Sequence, residues 1–93
     1  MTYKTIWTNQ FEKDYNLAMK RHLPIDLLDD IITKLKNGET LPAKYKDHSL
    51  TGNYKGFREC HIQPDWLLIY YYQEYKLILT LSRTGTHSDL LNK

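Results

Sequence analysis

The sequence is poor in cysteine, proline and glycine, and it contains no long apolar run. A single cysteine, Cys60, cannot close an internal disulfide, so the fold must rest on its core, and a reducing cytoplasm is the expected setting. There is no CxxC pair. None of the four histidines, His22, His48, His61 and His87, has another three or four residues away on a helix. Neither zinc nor any other metal or cofactor is therefore expected. No apolar stretch approaches the roughly 18 residues a membrane span needs, and the longest, residues 66–72, has the length of a strand. The polar opening, residues 1–6, does not read as a signal peptide. With three prolines, four glycines, no repeat and no low-complexity segment, nothing marks a linker, and residues 1–93 read as one domain. A net charge of +2 names no partner by itself.

What is present is a chain 41% hydrophobic and 26% charged, enough for one core. Residues 3–7 alternate and are β-prone, which predicts a first strand. Asn9, with Glu12 three residues on, reads as a helix start, and Phe11, Tyr15, Ala18, Met19 and His22 fall on one face. Pro24 suits the first turn of a second helix, whose apolar stripe is Leu27, Leu28, Ile31, Ile32 and Leu35 and whose stop is Gly38. Residues 39–53 read as a long loop, of the sort that tends to carry function. Three strands follow, at 54–62, 66–72 and 77–83. The middle one is apolar enough to be buried on both faces. Thr86 is placed to cap a short helix over 87–91. The order βααβββ with a tail predicts an α+β domain, a helical hairpin on one face of a mainly antiparallel sheet.

Between residues 44 and 58 the cations Lys44, Lys46, Lys55 and Arg58 face one acid, Asp47, with aromatics interleaved, a composition suited to an RNA backbone and its bases. His48 follows in the loop. His61 ends a strand just before the Pro64-Asp65 turn, and Trp66 begins the next. Arg83 continues the parity of Leu77, Leu79 and Leu81, which places it at the rim of their face, and His87 follows a Thr-Gly-Thr turn. If these ends converge, the set contains imidazoles, a carboxylate and an arginine. That is sufficient for RNA cleavage without metal: a base for the ribose 2′-hydroxyl, a cation for the phosphorane and an acid for the leaving 5′-oxygen. Hairpin geometry alone does not decide whether they converge.

Three segments together resemble a known family. They are residues 41–52, LPAKYKDHSLTG; residues 54–70, YKGFRECHIQPDWLLIY; and residues 83–90, RTGTHSDL. They are similar to the corresponding stretches of YafQ-type toxins of the RelE/ParE superfamily, and the N-terminal strand-helix-helix also fits. The resemblance implies the RelE-like fold and a type II toxin held by a cognate antitoxin protein, with a heterotetramer as one arrangement. It implies an endoribonuclease that cleaves mRNA in the ribosomal A site without metal. The family's functional positions fall on His48, His61, Asp65, Trp66, Arg83 and His87. His87 takes the role of general acid and Arg83 that of phosphate stabiliser. Asp65, His61 or His48 supplies the base, and Trp66 positions a base or the histidines. Ser49 stands where a proline is common. Leu91 stands where the family often has an aromatic, which puts any stacking there in question. Two alternatives share the fold: a ParE-like toxin that binds DNA gyrase without cutting RNA, and a degenerate protein that only binds antitoxin. The retained polar set argues against the first, because a pure binder needs no such set, and Leu91 is the only support for the second.

Overall fold

The computed structural model describes residues 2–91. The chain runs β1 (Lys4–Trp7), α1 (Asn9–Lys20), α2 (Ile25–Lys36), β2 (His48–Ser49), β3 (Arg58–Gln63), β4 (Trp66–Gln73), β5 (Ile78–Gly85) and α3 (His87–Leu91). The strands form one sheet in the order β1-β5-β4-β3-β2. Only β1 and β5 are parallel. This is the expected α+β architecture, with a fifth, two-residue strand inside what reads from sequence as loop.

The element boundaries follow local chemistry. Thr8, not Asn9, caps α1: its Oγ1 accepts the Phe11 N–H at 3.0 Å, and a threonine hydroxyl reaches that amide as well as an asparagine does. The helix ends at Lys20, and His22 lies beyond it in the left-handed region, φ 59°, where the chain turns. His22 and Met19 are therefore exposed rather than on the packed face, which consists of Phe11, Asp14 and Ala18. Pro24 sits at the N-cap of α2, one residue ahead of its expected place. Gly38, at φ 75°, ends α2 as expected, donating to the Leu35 carbonyl while Glu39 donates to that of Lys34.

α1 and α2 cover one face of the sheet. Phe11, Ala18, Leu28, Ile31 and Leu35 pack on Cys60, Leu68, Tyr70, Leu79 and Leu81. Residues 66–70 of β4 are buried on both faces, as their unbroken apolar run predicts. On the second face Leu67 and Ile69 meet Leu90 of α3 and Leu50, Tyr54 and Phe57 of the long loop. Each large apolar side chain buried in this way contributes about 1.5–3 kcal/mol. This second, smaller core covers only part of its face, and the polar strand-end residues gather beside it. Among the described residues, no helix is long and apolar enough to cross a membrane.

Candidate functional site

The register of the sheet determines which side chains meet. Arg83 lies opposite Ile69, Ile69 opposite Glu59, and Glu59 opposite His48. One step along, Gly85 lies opposite Leu67 and Leu67 opposite His61. Residues opposite one another share a face, so Arg83, Glu59, His48 and His61 all belong to the face that the helical hairpin leaves uncovered. With strands about 4.8 Å apart, Arg83 and Glu59 are separated by roughly 10 Å at the backbone. The alternation of Leu77, Leu79 and Leu81 does not carry through to Arg83. A register shift between Ile69 and Tyr70 leaves Ser82 without a counterpart and turns Arg83 to the opposite face.

Three imidazoles neighbour one another here, with His61 between His48 and His87. The rings of His48 and His61 are 6.3 Å apart, and those of His61 and His87 are 5.8 Å apart. His87 opens α3, and Asp65 from the β3–β4 turn holds it twice: Oδ1 accepts the His87 backbone N–H at 2.9 Å and lies 2.6 Å from Nδ1. The backbone N–H, then the ring, hold the Asp65 carboxyl below the usual carboxylate range. An ionised carboxylate only accepts, so His87 Nδ1 bears the proton and Nε2 is left to exchange one with a ligand. His48 Nδ1 is likewise 2.7 Å from the Lys46 carbonyl oxygen, which only accepts, so in the neutral ring its Nε2 carries the lone pair. The Glu59 carboxylate lies 3.5 Å from His48 Nε2 and 3.8 Å from His61 Nε2. It is buried beneath the two rings it faces.

Arg83 pairs with neither Asp65 nor Glu59. Its Nε and Nη2 reach Asp14 of α1 at 2.8 and 3.3 Å. That bond raises the guanidinium pKa further, so the group is cationic throughout the working range. β1 pairs with β5 only as far as Trp7 opposite Leu81. Beyond that point the Asp14 carboxylate substitutes for a strand, accepting the Thr84 N–H at 3.1 Å as well.

α3 is fixed by its own cap. Thr86 and Asp89 exchange hydrogen bonds in a capping box, which bears out Thr86 as the cap. Arg21 adds a 2.8 Å contact to Asp89. Arg21 first, then the Thr86 N–H, bring the Asp89 carboxyl down to about 2. Gly85 lets α3 approach: a Cβ there would lie 3.0 Å from Asp89 Cβ and Oδ2 and 3.3 Å from Leu90. Gly85→Ala is expected to cost about 1–3 kcal/mol by overpacking. By shifting His87 it should also slow any reaction that depends on that ring by up to about 10²-fold. Thermal melts and turnover of the purified variant check both effects, and full activity would show that α3 tolerates displacement.

Of the sequence-predicted residues, His48, His61, Asp65 and His87 come together, and Arg83 lies across Ile69 from Glu59 on the same face. Two are corrected. Trp66 is 2% exposed in the core under the helices, so its ring offers no face to an RNA base. Its neighbours in the strand alternate, and its parity is that of Leu68 and Tyr70, not of Leu67 and Ile69. Arg58 is occupied: Nε pairs with Asp47 at 3.1 Å and Nη1 with Ser49 Oγ, so it braces the loop rather than standing free for phosphate. Lys44, Lys46 and Lys55 are exposed. Cys60 faces the core, opposite His61, and burial pushes its thiol far above the ordinary range, which removes it as a nucleophile. Leu91 belongs to α3, and its side chain lies outside the described residues. Two residues escaped the sequence reading. Glu59 is legible as the residue two before His61 on the same strand face, and Asp14 as a charge on the buried stripe of α1, where a partner is obligatory.

The profile of the family described as "Bacterial toxin of type II toxin-antitoxin system, YafQ" matches residues 3–92. The chain is 45% identical over 85 residues to the mRNA interferase toxin YafQ of Escherichia coli K12, covering 90% of each. In the crystal structure of the E. coli DinJ-YafQ toxin-antitoxin complex, a similar chain superposes with a TM-score of 0.88 at 42% identity, over 97% of this chain and 98% of that one. A metal-bound toxin from Helicobacter pylori superposes with a TM-score of 0.88 at 38% identity, over 97% and 99%. Sequence and fold therefore agree: the chain belongs to the YafQ family of type II toxin–antitoxin toxins.

Proposed function

We propose that this toxin is a cytoplasmic endoribonuclease that stops translation by cutting mRNA in the ribosomal A site, and that a co-encoded antitoxin holds it inactive. The observation that carries this reading is the Asp65–His87 pair set beside His61, with Arg83 across the same sheet face. Asp65 holds the His87 Nδ1–H and stabilises the ring as imidazolium, and in that form His87 Nε2 donates its second proton to the leaving 5′-oxygen. With Asp65 committed to His87, an imidazole of the His48–His61 pair takes the proton of the 2′-hydroxyl, and Glu59 beneath them stabilises the charge that imidazole gains. Arg83, anchored on Asp14 through Nε and Nη2, turns its remaining N–H groups to the phosphorane oxygens. Lys44, Lys46 and Lys55 attract the RNA backbone. The E. coli relative assembles with DinJ, which supports an antitoxin partner for this chain.

Translating ribosomes incubated with the protein, followed by mapping of the mRNA ends, test this reading. New 5′ ends within A-site codons support it. Intact mRNA accompanied by loss of gyrase activity would instead give the ParE-like alternative.

The Helicobacter pylori relative raises the matter of metal. Among the described residues, no three His, Cys, Asp or Glu side chains are arranged to hold an ion. The acid, base and cation needed for transesterification are all supplied by side chains. Toxin treated with EDTA and then freed of it is expected to cleave at the untreated rate on ribosomes kept intact with Mg²⁺. Stoichiometric metal lost together with activity would overturn the metal-free mechanism.

A further inference from the structure

We propose that the cavity beside His61 is a specificity pocket that takes one unstacked nucleobase of the RNA next to the scissile phosphate, with Gln63 reading its edge. This inference rests on the endoribonuclease reading above.

The cavity has a volume of about 350 Å³ and is walled by Leu27 of α2, by Tyr45 and the two lysines flanking it, and by residues 61–64. Small-ligand pockets begin at about 300 Å³, so one planar base fits. The pocket exists because of the sheet register. β2 pairs with β3 only at Arg58 and Glu59, which leaves the outer edge of β3 from His61 to Gln63 without a neighbouring strand. The 3-10 turn Ala43–Tyr45 stands beside that edge instead.

The lining is mixed in the way a base requires. Leu27, Ile62 and Pro64 give apolar surface, and Tyr45 gives an aromatic ring. The Lys44 ammonium lies 5.1 Å from the centre of that ring, so a cation and a π system reach the same wall. Gln63 supplies an adjacent donor and acceptor, the pairing that reads a base edge. Lys44 and Lys46 are exposed and suit the phosphates on either side of the base.

The pocket is also coupled to the reacting groups. His61 belongs to both. Lys46, a lining residue, sits in the left-handed region, φ 51° and ψ 40°, where a non-glycine residue is strained. Its carbonyl is the group that orients His48. A base seated between Tyr45 and Gln63 therefore rests against the loop that sets the His48 tautomer, so occupancy and alignment of the imidazoles go together.

The test uses full-length toxin and ribosomes programmed with an mRNA randomised at the A-site codon. Wild type, Leu27→Trp and Gln63→Ala are compared by cleavage rate and by the base preference at each position around the cut. Leu27 is 37% exposed, and the larger side chain narrows the cavity from the α2 wall. Leu27→Trp is expected to lower kcat/KM about fivefold or more, since stacking of one base is worth at least that. Gln63→Ala is expected to flatten the preference at one position adjacent to the cut, with an unchanged melting temperature. If Leu27→Trp melts early, Gln63→Ala alone decides. Wild-type rate and preference in folded variants overturn the pocket and leave the nuclease standing, and so does loss of antitoxin binding as their only defect. Absence of cleavage by the wild-type protein overturns both.

Discussion

His87→Ala is expected to lower mRNA cleavage by about 10²- to 10⁴-fold, the usual worth of a general acid. The loss should fall on kcat, because the proton moves only in the transition state and the ring contributes little to holding RNA in the ground state. The fold should survive. The ring is half-exposed, the capping box of α3 is made by Thr86 and Asp89, and Leu90 anchors the helix from the other side. Single-turnover cleavage of A-site mRNA, set beside a thermal melt, measures both. A folded His87→Ala protein that cuts at the wild-type rate removes His87 from the chemistry. Asp65→Asn offers a graded comparison. It keeps the shape of the turn but permits the wrong tautomer, so its loss should be smaller than that of His87→Ala and should vanish when both substitutions are present.

Arg83→Lys should reduce the cleavage rate by about 10²- to 10³-fold while ribosome binding changes little, because stabilisation of developing charge is usually the largest single contribution. The reason is geometric. The guanidinium holds Asp14 with one edge and has N–H groups left for a phosphate, whereas an ammonium is a point charge that cannot grip two acceptors on opposite sides with the same fixed aim. Asp14→Asn is expected to remove part of the same benefit from a distance, and to remove nothing further once Arg83 is lysine. Such non-additivity separates a positioning role from general loosening of the fold, which would simply add. Each substitution should also cost about 1–3 kcal/mol of stability, since Asp14 is buried and the Thr84 N–H depends on it. Full cleavage by Arg83→Lys would mean that charge alone suffices.

The elements themselves were legible in the sequence because their local signals are unambiguous: a 3.6-residue stripe in α2, an unbroken apolar run in β4, a capping threonine at Thr86 ahead of α3. What the sequence could not display was anything that depends on a one-residue offset or on long-range register. Thr8 and Asn9 are equally good caps on paper. Ser82 carries no mark of the register shift that sends Arg83 to the opposite face, so a parity argument carried from Leu77 put the guanidinium on the wrong side. Trp66 reads as an available strand-end aromatic, but it shares the core face with Leu68 and Tyr70. The convergence of His48, His61 and His87 depends on the β2–β3 pairing, the β3–β4 hairpin and the hold of Asp65 on His87 acting together, which no single periodicity displays. It was the resemblance of residues 41–90 to a family, rather than periodicity, that named those residues together.

Asp14 lies within α1 and Arg21 at its C-cap, seven residues apart, and they grip β5 and α3 respectively. Seven residues are close to two full turns, about 10 Å along the axis, so both side chains leave the helix in nearly the same direction. Deleting or inserting a single residue between them rotates one grip by about 100° relative to the other, and no rotamer change recovers that angle. The stretch from 14 to 21 should therefore tolerate substitution at its exposed positions yet reject any change of length. Residues 39–40, exposed between the Gly38 cap of α2 and the buried Leu41, carry no such phase relation and are the natural place for a change of length.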